Sequence, residues 1–525
     1  MSRARLAALT ALALLAACGD AAPEGEQLRV TVLGESDMPG PLATRLADQV
    51  TVQTLITRDG NGELVGGLAS SWRFVDDGRS LILRLRPTRW SDGKALVSED
   101  VVAAFRREAR RGALLRTAGI DNAAAVAARR LPEARLGVLA PIARVVELRL
   151  EAASPLLLGW LAEPGLAITR PGKPTLTRYA RALEKTDASQ QITLTRIARE
   201  QSDEARPAEI RIGASSDAAA AVAAFGRGET DILIGEGLAG LSEARLSARR
   251  EVLRLDPLWG VYGYLANGLK GPLASPDVRR ALALAVDRPA LTARYGIPAM
   301  APVAGLLPPA LRPQPLEAVA GEAGEAEPPP PRGVAAGLRR AIGGQDAAAD
   351  VPLEEARALL AKAGYTAETP LRLTLLLPPG REHRSIAERV GADWARIGVT
   401  LVVSEAAAPA RARLIARGNF DLAVSEASVP VPDAGALLAR YRCGAGPHCN
   451  AAADALLDAA ALAGPAERER LLAEAEQALL AGPPLIGLFA PVRWALVAPQ
   501  VDGWMPNVAA SHPLNRLVRD PKKRR

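Results

Sequence analysis

Cysteine and histidine supply the most reactive side chains of this 525-residue sequence, and both are scarce, with three residues of each. Cys443 and Cys449 lie six positions apart in the segment YRCGAGPHCN, with His448 between them. This spacing is compatible with a disulfide, with two free thiols or with a metal site that includes His448. The other histidines, His383 and His512, are distant in sequence, so the pattern indicates neither a histidine-based triad nor a metal cluster.

A glycine pattern is the second candidate for chemistry. Residues 235–240, GEGLAG, match the dinucleotide fingerprint G-x-G-x-x-G after a predicted strand, and Asp256 follows about 20 residues later. The match does not lie at the first strand of a βαβ unit, which favours glycines that simply turn the chain. Phosphate-binding loops, His-Glu-x-x-His and Gly-x-Ser-x-Gly are missing from the sequence. We therefore predict a protein that is not an enzyme and has no cofactor and no metal.

The N-terminus has the pattern of an export signal. Arg3 and Arg5 precede a mainly apolar run of twelve residues, 6–17, whereas a membrane-spanning helix needs about 20. We predict a signal peptide at 1–17. The segment Leu15-Ala16-Ala17-Cys18 resembles the bacterial lipobox, which predicts lipidation of Cys18, a tether at 18–27 and a membrane-anchored extracytoplasmic protein. Because such a compartment is oxidising, a Cys443–Cys449 disulfide becomes the favoured alternative.

The charge distribution argues against nucleic acid. The formal net charge is +7, of which two charges are Arg3 and Arg5. Five more are the net charge of a basic tail, 516–525, which leaves residues 18–515 formally neutral. Aromatic residues make up only 3% of the chain. A neutral body with few aromatic residues provides neither a phosphate-binding surface nor a base-stacking surface. We expect the tail itself to be a solvated terminus.

Apolar periodicity predicts strands and helices that alternate along the chain, which indicates an α/β fold. The region 278–296 is predicted as one helix, which would place Arg279 and Asp287 on one face as a surface ion pair. The stretch 307–335, with four consecutive prolines at 328–331, predicts an exposed loop or linker.

Three segments carry a resemblance to a known family. Residues 66–107 contain Leu68-Ala69, Asp77-Gly78, Trp90-Ser91-Asp92-Gly93 and Asp100-Val101, and the other two segments are 263–291 and 350–365. In order and spacing they resemble the extracytoplasmic solute-binding proteins of ABC importers, in the family 5 group that includes oligopeptide-, dipeptide- and nickel-binding members. Read physically, the Trp-Ser-Asp-Gly segment is mostly scaffold: a turn that packs an indole, followed by acids that cap a helix.

The resemblance implies a bilobal, periplasmic-binding-protein-like (type II) fold with an extra N-terminal subdomain. It predicts lobe I at 28–45, 155–267 and 497–515, the subdomain at 46–154, and lobe II at 268–496. Five ligand-binding candidates follow from the same resemblance: Glu35, Gln53, Asn267, Glu426 and Asp433. Asn267 is expected at the crossing between the lobes, as a hinge or ligand residue.

The sequence departs from peptide-binding relatives in the expected cleft. Counting from Phe420-Asp421-Leu422, the relatives' tryptophan position falls on Ala427, and the aspartate that pairs with a peptide's α-amino group falls on Pro430. A buried ammonium needs a carboxylate partner, and proline has none. The relatives' Tyr-Glu-Gly falls on residues 52–54, Val-Gln-Thr, which removes another carboxylate.

The predicted function is that of a monomeric, lipid-anchored protein that captures a small or peptide-like solute and delivers it to ABC permease subunits. The missing carboxylates motivate an alternative on the same fold, a sensor or envelope interaction protein that no longer transports.

Overall fold

The computed structural model describes residues 27–172, 175–176, 178–185, 190–197, 206–247, 252–312, 352–520 and 523. The predicted signal peptide, the lipidation at Cys18 and most of the proline-rich stretch lie outside these residues. None of the helices in the described part of the chain is both long and apolar enough to cross a membrane.

A seven-stranded sheet forms the centre of lobe I. Its middle strand, Gln27–Leu33, runs parallel to its two neighbours, and Leu28, Val30 and Val32 of this strand are buried. Helices Pro41–Thr51, Ala218–Arg227 and Leu241–Ser247 belong to this lobe. The order of strands across the sheet is Leu253–Pro257, Val492–Val497, Ile232–Glu236, Gln27–Leu33, Glu209–Ser215, Gln190–Arg196 and Tyr179–Lys185.

A five-stranded sheet forms the centre of lobe II. The strands are, in order, Val399–Glu405, Leu371–Leu377, Leu422–Ser428, Gly260–Ala266 and Leu485–Phe489. The first three run parallel, and Gly260–Ala266 is antiparallel to both of its neighbours. The helices of this lobe are Pro276–Leu284, Arg288–Ala293, Leu353–Lys362, Arg381–Ala395, Ala408–Ala416, Ala434–Leu438, Ala451–Leu462 and Pro465–Leu480.

A third unit has a hydrophobic core of its own, formed by residues between Leu55 and Ile168 together with Val431 of lobe II. It contains a hairpin (Ile56–Arg58 and Leu64–Gly66), a four-stranded sheet (Ala69–Val75, Ser80–Leu85, Val145–Arg149 and Val138–Ile142), and helices Ser98–Arg111, Leu114–Thr117, Ala123–Ala127 and Leu157–Leu161. Its sequence signature acts as scaffold. Trp90 Nε1 donates to Asp100 Oδ2 at 3.1 Å, and the same oxygen accepts the Val97 N–H at the start of helix Ser98–Arg111.

The strand pairing corrects the predicted lobe boundaries. Gly260–Ala266, which was assigned to lobe I, pairs with Leu422–Ser428 in lobe II. Val492–Val497, nearly all of which was assigned to lobe II, pairs with Ile232–Glu236 in lobe I. Periodicity identifies a strand but not the sheet it joins, which explains the error. The chain therefore crosses between lobes at 258–259 and 490–491, where the Leu258 N–H donates to the Pro491 carbonyl at 3.0 Å.

The single helix predicted over 278–296 is wrong. The structure has two helices here. The first is Pro276–Leu284, and Asp287 caps the second by accepting the Ala290 N–H at 3.0 Å. Pro289 can begin a helix but cannot continue one, because it lacks an N–H. Arg279 therefore shares no helix face with Asp287, and its guanidinium donates to the carbonyls of Gly482 and Pro483.

The predicted basic tail begins inside the folded body. Val518–Arg519 pairs with Val501–Asp502, and the Arg519 guanidinium lies 3.2 Å from the buried carboxylate of Asp231. A buried carboxylate needs a cationic partner, so part of the tail's positive charge has a structural role.

Candidate functional site

A cleft between the lobes contains two adjoining cavities. The larger, about 840 Å³, lies between lobes I and II, and we call it the acidic chamber. The smaller, about 590 Å³, is also lined by the third unit, and we call it the side chamber. Both are lined by Glu236, Leu258 and Ser428, so they form one cleft beside the crossing at 258–259.

The acidic chamber lies at the carboxyl ends of the parallel strands of both sheets. In lobe I, Glu35 follows strand Gln27–Leu33 and Glu236 ends strand Ile232–Glu236; in lobe II, residues 378–383 follow strand Leu371–Leu377. In open α/β sheets the carboxyl ends of strands form the ligand-binding crevice, because the loops that follow them diverge there. Both lobes therefore present their binding edges to one cavity.

Glu426 is the central carboxylate of the acidic chamber. It lies opposite Tyr262 in lobe II, and its side chain reaches lobe I, where a methyl group added at Gly237 (φ +66°) would collide with the carboxylate. The exposed surface of Glu426 faces the chamber, and protein atoms of both lobes surround it. Burial, together with the negative charge of Glu236, raises the pKa of Glu426 to about 8.

A second acidic contact spans the lobes. Glu382 begins the first turn of helix Arg381–Ala395 in lobe II, and Glu243 lies on helix Leu241–Ser247 in lobe I. Burial and the neighbouring Glu243 carboxyl group raise the pKa of Glu382. The Oε1 atom of Glu382 is buried and accepts no hydrogen bond from the described residues.

His383, which lines the chamber, is a neutral histidine that packs against buried aromatic residues. His383 Nδ1 lies 2.8 Å from the Tyr262 hydroxyl, and the Tyr262 ring stacks on Phe489 with centroids 4.6 Å apart. Burial, and secondarily the positive charge of Arg411, lower the pKa of His383 to about 4. The imidazole is therefore uncharged at neutral pH.

Four of the six charged residues that line the side chamber form two ion pairs with one another. Arg45 contacts Glu163 at 2.9 Å, and Arg493 contacts Glu236 at 2.6 Å. Pro430, at the relatives' aspartate position, also lines this chamber. Because proline has no carboxylate, Pro430 cannot pair with an ammonium group in this chamber.

Comparison with known proteins identifies the family. Residues 63–447 match the family model of bacterial extracellular solute-binding proteins, family 5 (middle). The chain belongs to this family. Two curated Escherichia coli relatives are similar: the probable deoxycholate-binding periplasmic protein YgiS is 27% identical over 484 residues, 86% of this chain and 84% of the relative. The periplasmic murein peptide-binding protein MppA is 24% identical over 399 residues, 70% of this chain and 68% of the relative.

Solved structures of family 5 proteins confirm the predicted bilobal type II fold. The Haemophilus influenzae OppA in complex with the peptide RPPGFSPFR superposes with a TM-score of 0.72 at 19% identity, over 95% of this chain and 99% of the other. At this identity the likeness concerns the fold alone.

Within the family 5 fold, two of the five predicted ligand residues line the acidic chamber, Glu35 and Glu426. Gln53 lines neither chamber, and its carbonyl accepts the Ile168 N–H at 2.9 Å. Asp433 is buried, caps helix Ala434–Leu438 and contacts Arg468 at 2.6 Å. These partners account for the Asp433 carboxylate and for the Gln53 carbonyl, and Gln53 lies between Val52 and Thr54, which line the side chamber.

The expectation that Asn267 lies at the crossing is wrong. Asn267 follows strand Gly260–Ala266, at the opposite end from the crossing at 258–259. Its Nδ2 donates to the carbonyls of Gly418 and Phe420 at 3.1 and 2.9 Å. The error follows from the strand's assignment to lobe I.

Sequence reasoning missed most of the chamber's charged residues: Glu236, Glu243, Arg381, Glu382 and Arg411. The rule that ligands bind at the carboxyl ends of parallel strands would have identified Glu236 and the 378–383 loop. Glu243 and Arg411 lie on helices, and only the three-dimensional arrangement of the lobes brings them to the cleft.

Two other motifs have structural roles. The Gly235–Gly240 segment is covered by Trp494, whose Nε1 donates to the Ala239 carbonyl at 3.1 Å, and a side chain at Gly235 would collide with the indole. The structure joins the sulfur atoms of Cys443 and Cys449 at 2.03 Å, so neither is a free thiol that could bind a metal with His448.

Proposed function

We propose that this protein captures a solute between its two lobes and delivers it to the permease of an ABC importer. The observation that carries the proposal is the position of the cleft, at the carboxyl ends of the strands of both sheets and beside the crossing at 258–259. Lobes joined by short crossings can rotate about them, and closure over a solute creates a shape that a permease can distinguish. Family membership supports this function.

We also propose the location and the unit boundaries. The protein acts outside the cytoplasm as a monomer, anchored by a lipid on Cys18. Among the residues that the structure describes, lobe I comprises those within 27–51, 169–257 and 492–519, the extra subdomain those within 55–168, and lobe II those within 260–489. Labelling with radioactive palmitate tests the anchor: wild type is expected to be labelled and found with membranes, whereas Cys18→Ser is expected to lose both properties.

Small-angle scattering of the purified protein tests solute capture. The ligand panel contains deoxycholate, murein peptides, random peptides, sugars and metal chelates, since the first two are named for relatives. We expect at least one class to reduce the radius of gyration and to raise the melting temperature. If no member of the panel did either, solute capture would be contradicted.

A further inference from the structure

The acidic chamber contains more carboxyl groups than arginine partners. Two ion pairs are complete, Glu35 with Arg411 and Glu236 with Arg493. Three further carboxyl groups line the chamber, those of Glu243, Glu382 and Glu426, and none of them forms an ion pair with the described residues. One further arginine, Arg381, is exposed and could offset only one of the three.

Glu382 is the observation that distinguishes this chamber from an ordinary acidic surface. Its side chain is 6% exposed and lines the chamber, and its buried Oε1 atom accepts no hydrogen bond from the described residues. A buried carboxylate oxygen without a donor is costly. The carboxyl group of Glu382 also interacts with its own backbone and with the side chains of Ser242 and Glu243, and a ligand that donates a hydrogen bond to Oε1 would remove the cost that remains.

Glu426 provides a second acceptor from the same lobe. Among the described residues, no side chain donates a hydrogen bond to its carboxylate, although it lies close enough to Glu236 of lobe I for that charge to raise its pKa. Lobe closure therefore brings like charges together in two places, Glu236 with Glu426 and Glu243 with Glu382. Like charges oppose closure unless a cation or a proton lies between them.

We propose that the acidic chamber binds the positively charged group of an organic solute, an ammonium or a guanidinium, with Glu426 and Glu382 as its carboxylate acceptors. This inference rests on the proposed solute-binding function and names the class of solute. The side chamber, where most of the charged residues form ion pairs, has room for the uncharged remainder of a longer molecule.

If these acids had a purely structural role, a substitution would have the opposite effect on the stability of the solute-free protein. If Glu426 only supported the fold, Glu426→Gln would reduce stability. If the role of Glu426 is to bind a cation, Glu426→Gln removes the repulsion between this residue and Glu236. The solute-free protein then keeps or gains stability, while cation binding weakens. Glu382→Gln serves as a second variant, and Glu229→Gln as the matched control, since Glu229 is exposed and pairs with Arg227 outside the chamber.

The experiment uses native mass spectrometry and equilibrium dialysis of the full chain with two defined mixtures. One is a random tripeptide library, and the other contains agmatine, spermidine, choline, glucose, succinate and deoxycholate. We expect the retained compounds to carry a cationic group besides any peptide terminus, and Glu426→Gln to weaken their binding at least tenfold. Glu229→Gln should bind as wild type does.

Retention of neutral or anionic compounds in preference to cationic ones would overturn the inference and leave the proposed function intact. Equal binding of cations by wild type and by both chamber variants would do the same. Retention of nothing from either mixture, with no change in scattering, would count against the proposed function, and the inference would fall with it.

Discussion

Arg411 of lobe II donates to Glu35 of lobe I across the mouth of the acidic chamber, with an Nη1–Oε2 distance of 3.0 Å and a second contact through Nη2. Arg411 also donates to the carbonyl of Ala406 in its own lobe. The ion pair joins two lobes that are also connected by the crossings and by a hydrogen bond from Arg245 of lobe I to the Tyr295 carbonyl of lobe II, so its energy bears on the open–closed equilibrium rather than on either lobe alone.

Arg411→Ala should shift the solute-free protein towards the open form. An exposed ion pair contributes about 0.5–1 kcal/mol, which corresponds to a two- to fivefold change in the ratio of open to closed molecules. Spin labels at the exposed Ala219 and Ser404, one on each lobe, measure the interlobe distance distribution by pulsed electron resonance. Arg470→Ala, which breaks an ion pair within one exposed helix, is the control. An unchanged distribution in Arg411→Ala would refute the role of the pair in closure.

Glu426→Gln should stabilise the solute-free protein, and more so at alkaline pH. Because the pKa of Glu426 is raised from 4.5 to about 8, the folded protein keeps a proton that the unfolded chain loses between these values. The free energy of unfolding of wild type therefore falls as pH rises through this window. Allowing for screening in the accessible chamber, we expect a gain of about 1 kcal/mol at pH 8.5 and little at pH 4.5.

Chemical unfolding curves of wild type and Glu426→Gln at the two pH values measure this difference. Glu229→Gln, whose carboxylate is exposed and paired with Arg227, should show no such gain at pH 8.5. A Glu426→Gln variant less stable than wild type at pH 8.5 would mean that the carboxylate supports the fold.

The sequence was sufficient to predict the class of fold and most of its elements, because the relevant signals are local. In strand Gln27–Leu33, apolar residues alternate with polar ones. The Trp-Ser-Asp-Gly turn is followed by acids that cap a helix. Assignment of strands to sheets failed for Gly260–Ala266, since pairing partners lie more than 150 residues away.

All five ligand candidates follow from the family frame; two of them, Glu35 and Glu426, line the acidic chamber, and their role in ligand binding stays a prediction. Asp433 and Asn267 were chosen from the family frame, yet each has local partners that satisfy it. Glu243 and Glu382 are 139 positions apart in the printed sequence, and no local pattern indicates that closure brings them together.

Asp100→Ala should destabilise the extra subdomain. Asp100 accepts from Trp90 Nε1, from the Val97 N–H and from Arg170 at 2.7 Å, and Arg170 also lies over the Trp90 ring. Burial acts to raise the pKa of Asp100, but these hydrogen bonds outweigh it and the pKa is lowered. We expect a loss of about 2–3 kcal/mol. Amide hydrogen exchange should become faster in residues 55–168. Exchange that became equally faster in all three units would contradict a local role for Asp100.

His383 should make the protein sensitive to mild acid. Its pKa is lowered from 6.5 to about 4 by burial against Tyr262, so the unfolded chain binds a proton between these values that the folded protein does not. The folded state therefore loses stability as pH falls from 6.5 to 4, by up to about 3 kcal/mol. His383→Gln should flatten this part of the curve of unfolding free energy against pH.

Nuclear magnetic resonance provides the direct measurement, since the chain has three histidines and His383→Gln identifies the resonance that belongs to His383. We expect its imidazole shifts to stay those of a neutral ring down to about pH 5. Titration of this resonance near pH 6.5 would show that the ring is solvated and that the chamber wall is open to water. Because a protonated His383 would add a positive charge beside Glu382, that outcome would also reduce the excess of negative charge on which cation binding depends.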